Sequence, residues 1–115
     1  MFDFQKLEVY QKSKFFNKEI YALLKSQRFD RVTNDQLRRA SFSIMLNIAE
    51  SSSRFSKKDR RHFLVIARGS AFECVAILEY LEEIHEINSD TYIYFYEKLD
   101  ELSRMLFSMI KKLSE

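Results

Sequence analysis

The chain of 115 residues contains no proline and only one glycine, Gly69. Proline and glycine are the residues that most often end helices and form tight turns, so very little in this sequence would interrupt a helix. Residues that favour helices, such as Leu, Lys, Glu and Arg, are abundant. The composition therefore predicts an all-α protein, and the length suits a single domain over residues 1–115.

Apolar residues recur at helical spacing in four segments, which predict helices at about residues 7–27, 34–52, 57–87 and 90–113. The predicted core positions of the second helix are Leu37, Ala40, Ile44 and Ile48. Those of the third helix are Phe63, Ile66, Ala67, Ser70, Cys74, Ile77, Leu81 and Ile84. The fourth helix carries a heptad stripe formed by Tyr92, Phe95, Leu99, Leu102, Leu106, Met109 and Leu113. Four such helices with short connections favour an antiparallel up-down four-helix bundle.

Short polar residues predict where these helices begin. Thr33 and Gln36 have the spacing of a capping box, which would start the second helix near Asn34. Ser56 is expected to cap the third helix, with Asp59 in its positive first turn. Asn88 and Ser89 are expected to end the third helix and cap the fourth.

Several large apolar residues lie off the predicted core stripes. They are Phe42, Met45, Leu46, Leu64, Val65, Phe72, Ile93, Tyr94, Tyr96 and Phe107. A single bundle would leave many of them in water, and a contiguous exposed apolar patch usually marks an interface. We therefore expect the chain to associate with copies of itself.

Charge is unevenly distributed along the chain, although the formal net charge is only +2. Residues 36–72 hold eight basic and two acidic side chains, whereas residues 73–115 hold four and ten. The candidate nucleic-acid-binding residues are Arg38, Arg54, Lys57, Lys58, Arg60, Arg61 and Arg68. Such a surface would bind phosphates through counterion release, without base preference. The alternative is that this basic region is an ordinary solvated surface, or that it pairs with the acidic fourth helix of another subunit.

A second set of charged and polar residues is expected to form a structural ion-pair network between helices. Its members are Arg39, Asn47, Glu50, Arg68 and Glu73. Two arginines, two glutamates and an amide could satisfy one another where helices face each other. We consider this role more consistent with the pattern than a catalytic one.

No pattern typical of catalysis or of a cofactor site is present, and we expect no enzyme activity, metal or cofactor. Glu82 and His85 have the Glu-x-x-His spacing found in di-iron bundles, but the second such motif that a complete site needs is missing. Cys74 lies on the predicted core face and is expected to be a buried apolar residue. With one cysteine, no visible secretory signal and no apolar run of about 18 residues, we expect a cytoplasmic protein with no membrane contact.

Four segments give the chain a resemblance to a known family. They are F-x-x-L-x-V-Y-Q-K-S at Phe4 to Ser13, Q-L-R-R-A at Gln36 to Ala40, S-I-x-x-N-I-A-E at Ser43 to Glu50, and I-A-R-G-S-x-x-E at Ile66 to Glu73. In these segments the chain resembles the small bundle proteins encoded by intervening sequences within bacterial 23S ribosomal RNA genes. Ser51 departs from the pattern, since the family usually has glycine after N-I-A-E.

The resemblance implies a four-helix bundle that assembles as a pentameric ring and has no established enzymatic role. The chain is also similar to the accessory proteins of diversity-generating retroelements, which are pentameric bundles with a basic surface that engages nucleic acid and a reverse transcriptase. Two functions therefore remain open: a homopentamer that binds RNA or other nucleic acid, and an interaction scaffold for a protein partner with no nucleic-acid ligand.

Overall fold

The computed structural model describes residues 1–115, which form four α-helices after a short 3-10 turn at Asp3–Lys6. The helices are α1 (Glu8–Ser26), α2 (Arg31–Ser52), α3 (Lys57–Glu83) and α4 (Ser89–Leu113). Each helix packs against its two neighbours in the cycle α1, α2, α3, α4, and α1 packs less closely on α4 than on α2. The result is the expected four-helix bundle, about 44 Å long. None of its helices contains a stretch apolar enough to cross a lipid bilayer.

Contacts between neighbouring helices pair residues in opposite order along the two helices, which shows that all four neighbouring pairs are antiparallel. The contacts are Asn17–Ser41 and Tyr21–Arg38 between α1 and α2, Arg39–Glu73 and Ser43–Ser70 between α2 and α3, Arg61–Ser114 and Arg68–Ser103 between α3 and α4, and Lys12–Glu101 and Glu19–Tyr94 between α1 and α4. One end of the bundle therefore gathers the chain's N-terminus, the α2–α3 loop and the C-terminus of α4.

The core contains most of the residues that the periodicity selects. All four predicted positions of α2 are fully buried, and so is the centre of the α4 stripe at Phe95, Leu99, Leu102 and Leu106. The ring of Phe16 on α1 meets that of Phe95 edge to face, with centroids 5.8 Å apart. Edge-to-face contact is a favoured geometry for buried aromatic rings.

The buried face of α3 agrees with the predicted one only in part: Ala67, Ser70, Cys74 and Leu81 are buried as expected, whereas Phe63 and Ile77 are half-buried. The buried residues are Leu64, Ala67, Ser70, Ala71, Cys74, Leu78 and Leu81. Ile66 and Ile84 are exposed instead, and Leu64 belongs to the core. Apolar residues occupy several sides of α3, so spacing alone defines no single stripe, and packing against α2 and α4 decides which residues are buried.

Two helix ends differ from the sequence prediction. Helix α2 begins at Arg31 and not near Asn34, because Asp30 is its N-cap and accepts a 3.1 Å hydrogen bond from the Thr33 amide. Thr33 lies inside the first turn and donates its hydroxyl to Asp30. Helix α3 ends at Glu83 and not near residue 87, because His85 adopts a left-handed conformation (φ 63°).

The other predicted caps are present. Ser56 accepts a hydrogen bond from the Asp59 amide at the start of α3, at 3.0 Å. Asn88 accepts one from the Thr91 amide at the start of α4, at 2.8 Å. Helix α2 ends within the serine run, at Ser52.

Candidate nucleic-acid interface

The antiparallel packing brings cations from two distant parts of the sequence to the same end of the bundle. The first turns of α3 supply Lys57, Lys58, Arg60 and Arg61, while the last turn of α4 supplies Lys111 and Lys112. The Nη1 atom of Arg61 donates a hydrogen bond to Oγ of Ser114, at 3.3 Å, and so joins the two helix ends. We call these six side chains the basic end.

The basic end is not neutralised within the chain. The five ion pairs of the molecule involve other cations, namely Lys12, Arg39, Arg54 and Arg104. All six residues of the basic end are exposed. Asp3, Asp59 and Glu115 carry carboxylates near this end of the bundle, and none of the three forms an ion pair with a basic-end cation. Six cations with few opposing charges create a positive potential that attracts polyanions.

Arg54 has a structural role beside the basic end. Its Nη2 atom lies 2.6 Å from a carboxylate oxygen of Glu50, and its guanidinium stacks 4.5 Å from the ring centroid of Phe63. Its backbone carbonyl accepts a 2.6 Å hydrogen bond from Nε of Arg60. Arg54 therefore stabilises the α2–α3 loop, and Glu50 is its ion-pair partner.

Two other predicted binding residues lie away from the basic end. Arg38 stacks on Tyr21 of α1, 4.6 Å from the ring centroid, and lies about 20 Å along α2 from the α2–α3 loop. Arg68 lies about 10 Å along α3 from Arg61, on the α4 side of the helix. The structure thus brings Lys57, Lys58, Arg60 and Arg61 together and separates Arg38 and Arg68 from them.

Arg68 occupies an apolar groove between α3 and α4. Its Nε atom donates a 3.2 Å hydrogen bond to the carbonyl of Ser103, and its guanidinium lies 4.7 Å from the ring centroid of Phe72 and 5.4 Å from that of Phe107. The groove is lined by Val65, Arg68, Gly69, Phe72, Phe107 and Ile110. Both phenylalanine rings are about half exposed.

The structure divides the predicted ion-pair network into separate contacts. Arg39 on α2 forms an ion pair with Glu73 on α3. Asn47 donates to both the carbonyl and the hydroxyl of Ser43, each at 2.9 Å. Glu50 pairs with Arg54, and Arg68 faces α4, on the other side of α3. The single chain thus contains local pairs in place of one continuous network.

Neither remaining candidate for chemistry forms a site in the chain. His85 lies beyond the end of α3, so the Glu-x-x-His spacing does not place it on one helical face with Glu82, which accepts a hydrogen bond from Ser89 instead. No group of three metal-binding side chains occurs. Burial raises the pKa of the Cys74 thiol to about 12, so the sulfur stays protonated at neutral pH.

The sequence interpretation missed Lys111, Lys112 and Phe55. The lysines belong to a segment that is acidic as a whole, and only the antiparallel bundle places them beside α3. The up-down topology, once predicted, already implies this arrangement. Phe55 lies in the α2–α3 loop with its side chain fully exposed.

Comparisons with known proteins agree with this architecture. A family model described as 23S rRNA-intervening sequence protein matches residues 5–108. A crystal structure from Bacteroides thetaiotaomicron, described as a protein with unknown function from the S23 ribosomal protein family, is 30% identical with a TM-score of 0.85. That match covers 90% of this chain and 98% of the other. A search of curated proteins found no match.

Proposed function

This chain belongs to the 23S rRNA-intervening sequence protein family, and we propose that it is a cytoplasmic, non-catalytic RNA-binding protein that assembles with copies of itself. The similar protein from Bacteroides thetaiotaomicron is described as having unknown function, so the proposal rests on the site itself. The observation that carries the proposal is the basic end. Six exposed cations meet there with no ion-pair partner in the chain.

The chemistry of the basic end suits phosphate groups. Lysine and arginine side chains that contact a nucleic-acid backbone displace condensed counterions, and this displacement drives binding. If all six side chains contact phosphates of a single strand, the logarithm of affinity should fall with the logarithm of salt concentration with a slope of about −4. Such contacts provide affinity and no base preference.

A salt titration with a short labelled single-stranded RNA tests this proposal. We expect binding at low salt that weakens steeply as salt rises, and a loss of at least about tenfold in the double variant Lys57→Glu, Arg61→Glu. The matched control is Lys18→Glu, Lys25→Glu on α1, which changes the net charge equally but lies outside the basic end. No binding at low salt, or equal losses in the two variants, would refute the proposal.

The exposed apolar residues support self-association. On α2, Phe42 and Leu46 lie on the face opposite the core, and each is 47% exposed. The groove between α3 and α4 presents Phe72 and Phe107 at nearly the same height along the bundle as Phe42 and Leu46 on α2. The equal height follows from the Ser43–Ser70 and Arg68–Ser103 contacts, which set the register of the helices.

We propose that the outer face of α2 in one copy packs into the α3–α4 groove of the next. Because the two surfaces differ but lie at equal height, one copy can meet the next by rotation about an axis parallel to the bundle. Head-to-tail contacts of this kind form a ring when the rotation closes. The family resemblance implies five subunits. In such a ring the basic end of each subunit would lie on one rim, which would multiply the positive charge available to one RNA.

Light scattering coupled to size-exclusion chromatography tests the ring. We expect Phe42→Asp and Phe72→Asp each to dissociate it, while Phe15→Asp, which alters an equally exposed phenylalanine on α1, should leave it intact. A mixture of the two dissociated variants should form a one-to-one dimer, because each retains one of the two faces. A wild-type monomer would refute the ring.

The second candidate is a protein-interaction scaffold, which the position of Arg68 favours. An arginine stacked between aromatic rings is typical of the energetically important centre of a protein interface. The scaffold and the RNA-binding protein differ in one result: a scaffold keeps its assembly but shows no salt-dependent binding of RNA at any salt concentration.

A further inference from the structure

Phe55 is the most exposed large apolar side chain in the molecule, with a relative exposure of 101%. It occupies the tip of the α2–α3 loop, next to the basic end. Burial of a phenylalanine side chain typically stabilises a fold by several times the thermal energy. The Phe55 ring makes no such contribution in the single chain, because it is exposed. The ring is therefore free to contact another molecule.

The loop that carries Phe55 is held in place by hydrogen bonds on both sides. The Arg54 amide donates to the carbonyl of Ser51 at 3.2 Å, and Nε of Arg60 donates to the carbonyl of Arg54 at 2.6 Å. The Ser51 hydroxyl donates to the carbonyl of Arg60 at 3.0 Å. These contacts join the end of α2 to the start of α3, so the ring is presented by a defined loop.

The residues around Phe55 in the sequence are polar and mostly cationic. Arg54 precedes it, and Ser56, Lys57 and Lys58 follow. A protein partner that covered the ring would have to desolvate these charges, whereas a nucleic acid would pair its phosphates with them. An aromatic ring among cations is the combination with which proteins bind single-stranded nucleic acids, the ring stacking on a base and the cations contacting the backbone.

We infer that Phe55 stacks on an unpaired base of single-stranded RNA whose phosphates lie on the basic end. This inference rests on the proposed RNA binding and adds the class of RNA. Bases in a duplex are already stacked on their neighbours, so the ring would have no free base face to contact there. The protein should therefore prefer single strands or loops over duplexes of the same length.

The chain contains no tryptophan, so Phe55→Trp creates a unique fluorescent reporter at the loop tip. We expect single-stranded RNA to quench this tryptophan, and a duplex of equal length to quench it less. The control is Phe15→Trp on α1, whose residue is also exposed but lies outside the basic end, and which should not be quenched. Quenching equal to that of the control would overturn the inference.

Phe55→Ala separates stacking from charge. We expect it to weaken binding of single-stranded RNA by roughly tenfold or more, to weaken duplex binding little, and to leave the salt slope unchanged, because no charge is removed. Unchanged affinity for the single strand would contradict the inference. So would dissociation of the assembly by Phe55→Ala, since that would place the ring in a contact between copies.

The two proposals fail in different ways. If the unmodified protein does not bind RNA at low salt, the proposed function is wrong and the role of Phe55 is wrong with it. If the protein binds RNA, loses that binding in Lys57→Glu, Arg61→Glu, and yet binds equally well as Phe55→Ala, the proposed function stands and only the stacking role is wrong.

Discussion

Arg61, in the second turn of α3, donates a hydrogen bond to Ser114, the residue that follows α4, at a distance of 3.3 Å. The two residues are 53 positions apart in the sequence. This contact marks where the start of α3 and the end of α4 meet, and it adds Lys111 and Lys112 to the cations of the α2–α3 region.

The first prediction concerns these two lysines. In the double variant Lys111→Glu, Lys112→Glu, the slope of log affinity for single-stranded RNA against log salt should become shallower by about 1.4, because two phosphate contacts are lost. The measurement is the salt titration described for Lys57 and Arg61. Retention of the full slope would exclude the end of α4 from the RNA contact, while the Lys18→Glu, Lys25→Glu control should match the unmodified protein.

The second prediction concerns Gly69, the only glycine, which lies in the middle of α3. A Cβ atom added there meets no atom within 4 Å apart from the neighbouring residues and backbone of its own helix, so the chain itself gives no steric reason for glycine. Gly69→Ala should raise the free energy of unfolding by about 1 kcal/mol through better helix propensity. Urea denaturation in the Phe72→Asp background measures this effect without the contribution of assembly, and a decrease in stability would contradict it.

In the assembled protein, Gly69→Ala has a second use. Gly69 lines the α3–α4 groove that we propose to receive α2 of the next copy. If the neighbouring helix approaches the α3 backbone closely, the added methyl group should weaken the ring while it stabilises the subunit. Dilution experiments monitored by light scattering measure the effect on the ring, and the urea denaturation measures the effect on the subunit.

The third prediction concerns His85, whose left-handed conformation ends α3. The His85 amide donates to the carbonyl of Glu82 at 3.0 Å, and the Glu86 amide donates to that of Leu81 at 2.8 Å, the two bonds of a Schellman motif. Glycine adopts this conformation without steric cost, so His85→Gly should raise the free energy of unfolding by about 0.5–1 kcal/mol. His85→Val, tested by the same urea denaturation, should lower it, and the opposite order would show that the left-handed turn is not retained.

The fourth prediction concerns the N-cap of α2. Hydrogen bonds from the hydroxyl and the amide of Thr33 hold the pKa of the Asp30 carboxyl below its ordinary value of 3.8. Because the folded-state pKa is the lower one, the stabilisation is complete above pH 3.8 and is lost as the pH falls through the folded-state pKa. The melting temperature of the protein should therefore exceed that of Asp30→Asn near neutral pH.

The difference between the two melting temperatures should shrink as the pH falls below 3.8 and through the folded-state pKa of Asp30. Asp30→Ala, which removes the cap acceptor altogether, should melt below both proteins throughout. A constant difference between the unmodified protein and Asp30→Asn over the whole range would show that the charge of Asp30 does not contribute.

Much of the architecture could be predicted from particular residues. The absence of proline and the single glycine favour long helices. The regular spacing of Leu37, Ala40, Ile44 and Ile48 identifies the buried face of α2, although Phe42 and Leu46 lie on its exposed face. The caps at Ser56 and Asn88 were also predictable, because a short polar side chain at a helix start satisfies amides that have no partner within the helix.

The end of α3 and its buried face were not predictable in the same way. The left-handed residue at the end of α3 is a histidine, whereas glycine is the usual signal for this turn. On α3 itself, apolar residues such as Leu64 and Ile66 offer competing stripes, and only contact with α2 and α4 makes Leu64 core and leaves Ile66 exposed.

The candidate site was decided mostly by tertiary structure. The sequence by itself determined the helices and the cations of the α2–α3 region, because both depend on residues close together in the chain. The register of the packed bundle fixed the contact of Arg61 with Ser114 beside Lys111 and Lys112, and only the packed bundle placed Arg68 in an apolar groove and left Phe55 in water. These are relations between residues distant in sequence, and they depend on which helix faces meet and in which register.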